Sequence, residues 1–184
     1  MLILILLSIA LSIKMLVSIR SCAYGATFRL TYGLAISAIA GLAQGLLFSA
    51  GAWLGRMVRY SSTVFEQTNN LIFVGLTILV AVRWLLQVRR KDAALPSYDI
   101  ASWRGATLFA LAQGMTAFFL GLGYGVWAVR SSLWMCLVLV SIMVMIASYL
   151  GIMFGRRRVD MRVRRWQFLS AMLLIGSALA IVLM

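Results

Sequence analysis

Met1 to Ile19 reads MLILILLSIALSIKMLVSI, an apolar run broken by one charge, Lys14. Its length suits a helix across a hydrocarbon core about 30 Å thick. A charge inside such a span is costly, so it marks a functional site or a side chain that escapes to the interface. The run is followed by Ser21, Cys22 and Ala23, which superficially suggests a leader peptide, although Arg20 two residues before Cys22 argues against a lipoprotein-type cysteine. No basic segment precedes it, however, and Lys14 interrupts its core. The expectation is a retained first helix.

Outward from this run, the same pattern recurs. The 184 residues are 64% hydrophobic, with a mean hydropathy of +1.01, well above a soluble domain. Five more candidate spans follow: one within Leu30–Met57, then Leu71–Leu86, Ala106–Val129, Leu133–Phe154 and Trp166–Met184. The second exceeds what one crossing needs, so tilt is expected. Lipid cannot satisfy free backbone groups and alternating short strands are absent, so the expected class is an all-α membrane protein of six transmembrane helices.

The net charge of +13 would suggest nucleic acid in a soluble chain. Here the basic residues sit mainly in connectors, which is the topology signal of a membrane protein. The expected partner is the lipid bilayer, with no nucleic acid. The connectors after spans one, three and five carry twelve lysines and arginines, including Arg20, Arg29, Arg104 and the run Arg156–Arg165. Those after spans two and four carry Arg56, Arg59 and Arg130. The richer side should be cytoplasmic, which puts both termini outside. Arg83 should snorkel to that side, and Trp84, Trp103 and Trp166 should form its aromatic belt.

The chain also repeats. Gly51–Arg56 is GAWLGR and Gly151–Arg156 is GIMFGR. Leu11-Ser12-Ile13-Lys14 stands beside Gln113-Gly114-Met115-Thr116 in span four. A repeat with an odd number of helices must insert inverted, the plan of many secondary transporters. The expected architecture is a single membrane domain, 1–184, with halves 1–86 and 106–184 as two inverted three-helix repeats joined by a cytoplasmic connector, 87–105. Gly41 with Gly45, Gly51 with Gly55, and Gly151 with Gly155 are spaced to let helices approach closely. Gly121, Gly123 and Gly125 should instead loosen span four.

Catalysis finds no support. There is no histidine, and Glu66, Asp92, Asp99 and Asp160 all lie in connectors. Cys22 and Cys136 alone make no zinc site, so no cofactor is expected.

In span order, paired motifs and charge pattern, the chain resembles the MntP-type manganese efflux pumps of the bacterial inner membrane. In Leu111–Gly121, LAQGMTAFFLG, Ala117 and Gly121 fit the family motif, and Thr116 stands at its aspartate position. Gln44, Gly51 and Gly55 fit a second motif, with Phe48 where a proline is frequent. Gly151 and Gly155 match the fifth span. In the first span the aspartate position holds Lys14, and Ser18 falls one residue early. The resemblance implies export of a divalent cation such as manganese by alternating access, through a multi-pass protein of the inner membrane.

The residues at the implied pathway are Ser12, Lys14, Gln44, Gln113 and Thr116. They offer hydroxyls, amides and one ammonium, but no carboxylate. Manganese prefers charged oxygen ligands, so no confident metal ligand emerges. Three roles for Lys14 stay open: snorkelling, donating between the halves, or countering an anionic or zwitterionic solute. The alternative to cation export is therefore a membrane scaffold or subunit, or a carrier of such a solute. A homodimer or a membrane partner fits the former.

Overall fold

The computed structural model describes residues 1–24, 29–60, 69–89, 99–128, 131–157 and 163–182. These residues form six helices: α1 (Leu2–Cys22), α2 (Leu30–Tyr60), α3 (Asn69–Arg89), α4 (Trp103–Trp127), α5 (Leu133–Arg156) and α6 (Val163–Val182). No strand occurs among the described residues. Each helix coincides with a span expected from hydropathy, most with an extra turn at one or both ends. Glu66, Arg90-Lys91-Asp92, Pro96, Arg130 and much of the Arg156–Arg165 run lie outside the described residues.

Among the described residues, four helices are long and apolar enough to cross a membrane: α1, α2 from Thr31, α4 and α5. In α3 the qualifying stretch is shorter, Asn70–Leu86. The 31 residues of α2 would extend about 46 Å, more than the hydrocarbon core. Large apolar side chains cover the exterior as well as the core, and some polar ones are buried. Leu46, Leu79, Leu111, Trp134 and Ile142 are exposed, while Ser12, Gln44, Thr77, Ser141 and Ser148 are buried. Lipid, not water, is the environment that tolerates such an exterior. Buried serines are partly self-satisfied: Ser8 and Ser37 donate to the carbonyls of Leu4 and Gly33, at 2.7 and 2.8 Å.

The main neighbours close a ring in the order α1, α5, α2, α4, α3, α6 and back to α1, with a lighter α1–α4 contact across it. Directions follow from pairwise contacts. Gly51 and Gly55 of α2 lie over Phe118 and Leu122 of α4, so these helices run parallel. Gly151 and Gly155 of α5 lie over Leu16 and Arg20 of α1, also parallel. Gly41 and Gly45 meet Met145 and Leu137 in reversed order, so α2 and α5 are antiparallel. In α3, Phe73 stacks near Trp127 while Trp84 lies level with Thr116, so α3 opposes α4. One end of the bundle thereby gathers Arg20, Arg83, Arg104, Arg156 and Arg157. The other end holds Arg56 and Arg59.

Local chemistry fixes the helix ends. Asp99 Oδ1 accepts the Ala101 N–H at 3.1 Å, and Ser102 Oγ accepts the Gly105 N–H at 3.1 Å as the N-cap of α4. At the far end of α4, Arg59 donates to the Val126 and Trp127 carbonyls at 3.1 and 3.4 Å. Arg56 donates to the Ser131 carbonyl and to Ser131 Oγ, the latter at 3.0 Å. Both arginines, expected in a connector, are helical residues: Arg59 closes the C-terminus of α4, where carbonyls lack partners and cations are favoured, and Arg56 holds Ser131, just before the N-cap of α5. Arg56→Ala should therefore cost about 1.5–3 kcal/mol, the range for hydrogen bonds to charged groups. The check is the thermal midpoint of the purified protein in detergent, which should fall.

Candidate functional site

Lys14 stands past the midpoint of α1, and its side chain turns into the bundle. Its Nζ donates to Thr116 Oγ1 of α4 at 3.0 Å and lies 4.4 Å from the centroid of the Trp84 ring of α3. The ammonium thus ties three helices, by one hydrogen bond and one cation–π contact. Of the three roles open to Lys14, snorkelling is not the geometry found.

Trp84 is the residue sequence reasoning misplaced. It was expected at the interface, yet it is 3% exposed and its indole Nε1 has no hydrogen-bond partner. Arg83 beside it is exposed. One residue turns a helix by about 100°, so neighbours with similar interfacial preference part ways. The belt role is left to Trp103, whose ring meets Tyr32 edge-on at 4.8 Å, and to Trp166; both are exposed.

The other candidates do not join the Lys14–Thr116 pair. Gln44 of α2 is 2% exposed, and its Nε2 donates to Met15 Sδ at 3.4 Å. Met15 follows Lys14, so Gln44 approaches a different face of α1. Gln44 Oε1 and Ser12 Oγ are buried without partners. Gln113 is half-buried one turn before Thr116. Among the described residues, no group of three or more histidine, cysteine, aspartate or glutamate side chains could hold a metal ion. No aspartate or glutamate falls within any of the six helices. A cation cargo would have only neutral oxygens here, with an ammonium among them.

Around this centre the glycines set the spacing. A Cβ at Gly51 would strike the Phe118 carbonyl oxygen, and at Gly55 that of Leu122. The same holds in reverse: a Cβ at Gly121 would strike the Phe48 carbonyl oxygen and at Gly125 that of Ala52. The α2 and α4 backbones therefore touch, with glycines on both sides. Gly41 faces the Ser141 carbonyl oxygen at 2.6 Å from a built Cβ, Gly45 faces Ser141 Oγ, and Gly151 and Gly155 face Leu16 and Arg20 carbonyl oxygens at 2.6 and 2.8 Å. The expectation that Gly121 and Gly125 loosen α4 is overturned: α4 stays helical to Trp127, because both residues are clamped against α2. Their four-residue spacing was the available signal.

Cys22 and Cys136 form no disulfide and lie at the C-terminal end of α1 and the N-terminal end of α5, at opposite ends of the bundle.

Residues 27–182 match the protein family described as "Putative manganese efflux pump". The match spans α2 to α6 and leaves α1, with Lys14, outside it. No curated protein and no solved structure matches the chain. The family is one of transport, not an enzyme class. A match over most of the chain, joined to apolar helices able to cross a membrane, places this protein in the MntP family of multi-pass membrane proteins.

Proposed function

We propose that this protein is a transporter of the bacterial plasma membrane that works by alternating access between two inverted three-helix halves, 1–86 and 106–184. The observation that carries the reading is the Lys14–Thr116 contact. These residues occupy equivalent places in the two halves, 102 positions apart, and they meet each other. Only residues at a two-fold axis relating the halves would meet their own counterparts. Gly41 and Ser141, 100 positions apart, meet in the same way.

Further support comes from the ring. Exchanging α1 with α4, α2 with α5 and α3 with α6 leaves the set of neighbours unchanged. Gly51 over Phe118 and Gly55 over Leu122 correspond to Gly151 over Leu16 and Gly155 over Arg20. Transporters of inverted-repeat design hold their cargo near the midplane between the halves, where half-on-half rocking exposes it to each side in turn. The arginine-rich end is the cytoplasmic one in this reading, and both termini lie outside.

Family membership brings a divalent cation such as manganese as the cargo, moved outward. The test is growth of a manganese-sensitive exporter-deletion strain expressing this chain. Rescue is the expected result of the cation reading. Stable, membrane-inserted protein without rescue sinks it. One observation favours a second reading. The one titratable group at the centre is a lysine, and its ammonium, when protonated, would repel a divalent cation by several kcal/mol at short range in a low dielectric. In that reading the scaffold is kept and the cargo is not: the chain carries an anionic or zwitterionic solute, or serves as a non-transporting membrane subunit. Co-purification of a membrane partner, with no transport in liposomes, identifies the subunit.

A further inference from the structure

The Lys14 ammonium has three N–H groups, and Thr116 Oγ1 takes one. Its other contact is the face of Trp84. Neither partner carries a formal charge. The one carboxylate among the described residues, Asp99, lies in the turn before α4 and accepts a backbone N–H there. Thr116 is 13 residues beyond the start of α4 at Trp103, about 20 Å along the helix. Asp99 is thus too distant to neutralise Lys14.

The unused polar capacity beside Lys14 is mainly of donor type. Trp84 Nε1 is buried and donates to nothing, and an indole N–H can only donate. Thr116 accepts from Lys14, which leaves its own hydroxyl proton to give. An ammonium and a buried indole N–H, with no acceptor of opposite charge beside them among the described residues, would be a costly arrangement in an apolar bundle if left empty. A small anion relieves both: it neutralises Lys14 and gives the indole N–H an acceptor.

We propose that α1, α3 and α4 form a binding site for a small monovalent anion beside Lys14 Nζ, with Trp84 Nε1–H and the Thr116 hydroxyl as its further donors. Trp84, Ala81, Ala117 and Leu120 are all buried, so a ligand here would have to be small, such as a halide or formate. Binding stands apart from transport: a resident anion and a carried one give the same equilibrium occupancy. Whether the anion is carried rests on the second reading above.

The test is the thermal midpoint of the full chain, purified in a mild detergent, in sodium chloride and in sodium gluconate at equal ionic strength. At chloride about tenfold above Kd, the midpoint should exceed that in gluconate by about 3–5 °C. Lys14→Gln and Trp84→Phe should each abolish the difference. Trp84→Phe keeps the ring under Lys14 and removes only the N–H, so it remains informative if Lys14→Gln does not fold. Trp103→Phe, at the exposed interface, should retain the difference. Equal midpoints in the two salts for the unsubstituted protein overturn the proposal, as does a chloride effect that survives in either site variant. Failure of chloride flux in liposomes, with the midpoint difference intact, rejects only the carried anion and leaves the site standing.

Discussion

Alanine at Gly125 should lower the thermal midpoint of the protein in detergent by several degrees, a cost of about 1–3 kcal/mol or more. The sign needs an argument, because alanine is ordinarily the better helix former by roughly 0.5–1 kcal/mol. At Gly125 the added methyl would sit inside the carbonyl group of Ala52, on the backbone of α2. A backbone cannot rotate away as a long side chain can, so the two helices must separate. In a membrane, helix association depends on close packing, since lipid is as apolar as leucine. Separation by a fraction of an ångström therefore removes much of what holds α2 to α4. Gly51, Gly55 and Gly121 belong to the same class, each aimed at a backbone carbonyl across this interface. Gly75 and Gly176 supply the control. Both are exposed, with nothing within 4 Å of an added Cβ. Alanine at either should be neutral or stabilising by up to about 1 kcal/mol. Equal effects at Gly125 and Gly75 would refute the view that contact, not propensity, governs these glycines.

The difference between those glycines marks how far the sequence could be read. Spans were legible because a membrane helix needs a minimum apolar length, and hydropathy reports length directly. The spacing of Gly51 with Gly55 and of Gly151 with Gly155 was legible because each pair ends an apolar run before an arginine. Gly121 and Gly125 sit at the same spacing, but Gly123 between them blurred the pattern into apparent looseness. Only the partner helix distinguishes a clamped glycine from a free one. The pairing of Lys14 with Thr116 was reachable through the likeness of Leu11–Lys14 to Gln113–Thr116, which set the two residues opposite each other. Trp84 was not reachable. A tryptophan near the end of a span, beside an arginine, has the composition of an interface residue; which of the two turns inward depends on the rotation of α3 about its axis. Arg56 and Arg59 likewise read as connector charges, because nothing local tells an arginine that bonds a neighbouring helix end or turn from one that faces water.

Aspartate at both Lys14 and Thr116 should create divalent metal binding where there is none or little, with a Kd of about 10⁻⁴–10⁻³ M for manganese, the range of weak carboxylate sites. The geometry supports this because the two side chains already meet at 3.0 Å. Aspartate is shorter than lysine, so its carboxylate withdraws from position 116 and leaves room for an ion between two negative groups. Neither single variant should bind appreciably, each for its own reason. Thr116→Asp alone places a carboxylate against the Lys14 ammonium; the two pair, and no charge is left for a metal. Lys14→Asp alone removes the repulsion but supplies one carboxylate beside a threonine hydroxyl, too little to replace the hydration of a divalent ion. Binding should thus be strongly non-additive, weak or absent in each single variant and present in the double one, as expected of groups that act as a unit. Loss of the free-manganese electron paramagnetic resonance signal on titration with purified protein gives the measurement. A folded, membrane-inserted double variant that leaves this signal unchanged at about 10 mM manganese, well above the expected Kd, would place the pair away from any ion-accessible path. A double variant that binds manganese and also restores growth to the manganese-sensitive strain would separate two properties of the chain: a bundle still able to alternate, and a central charge that decides what it can carry.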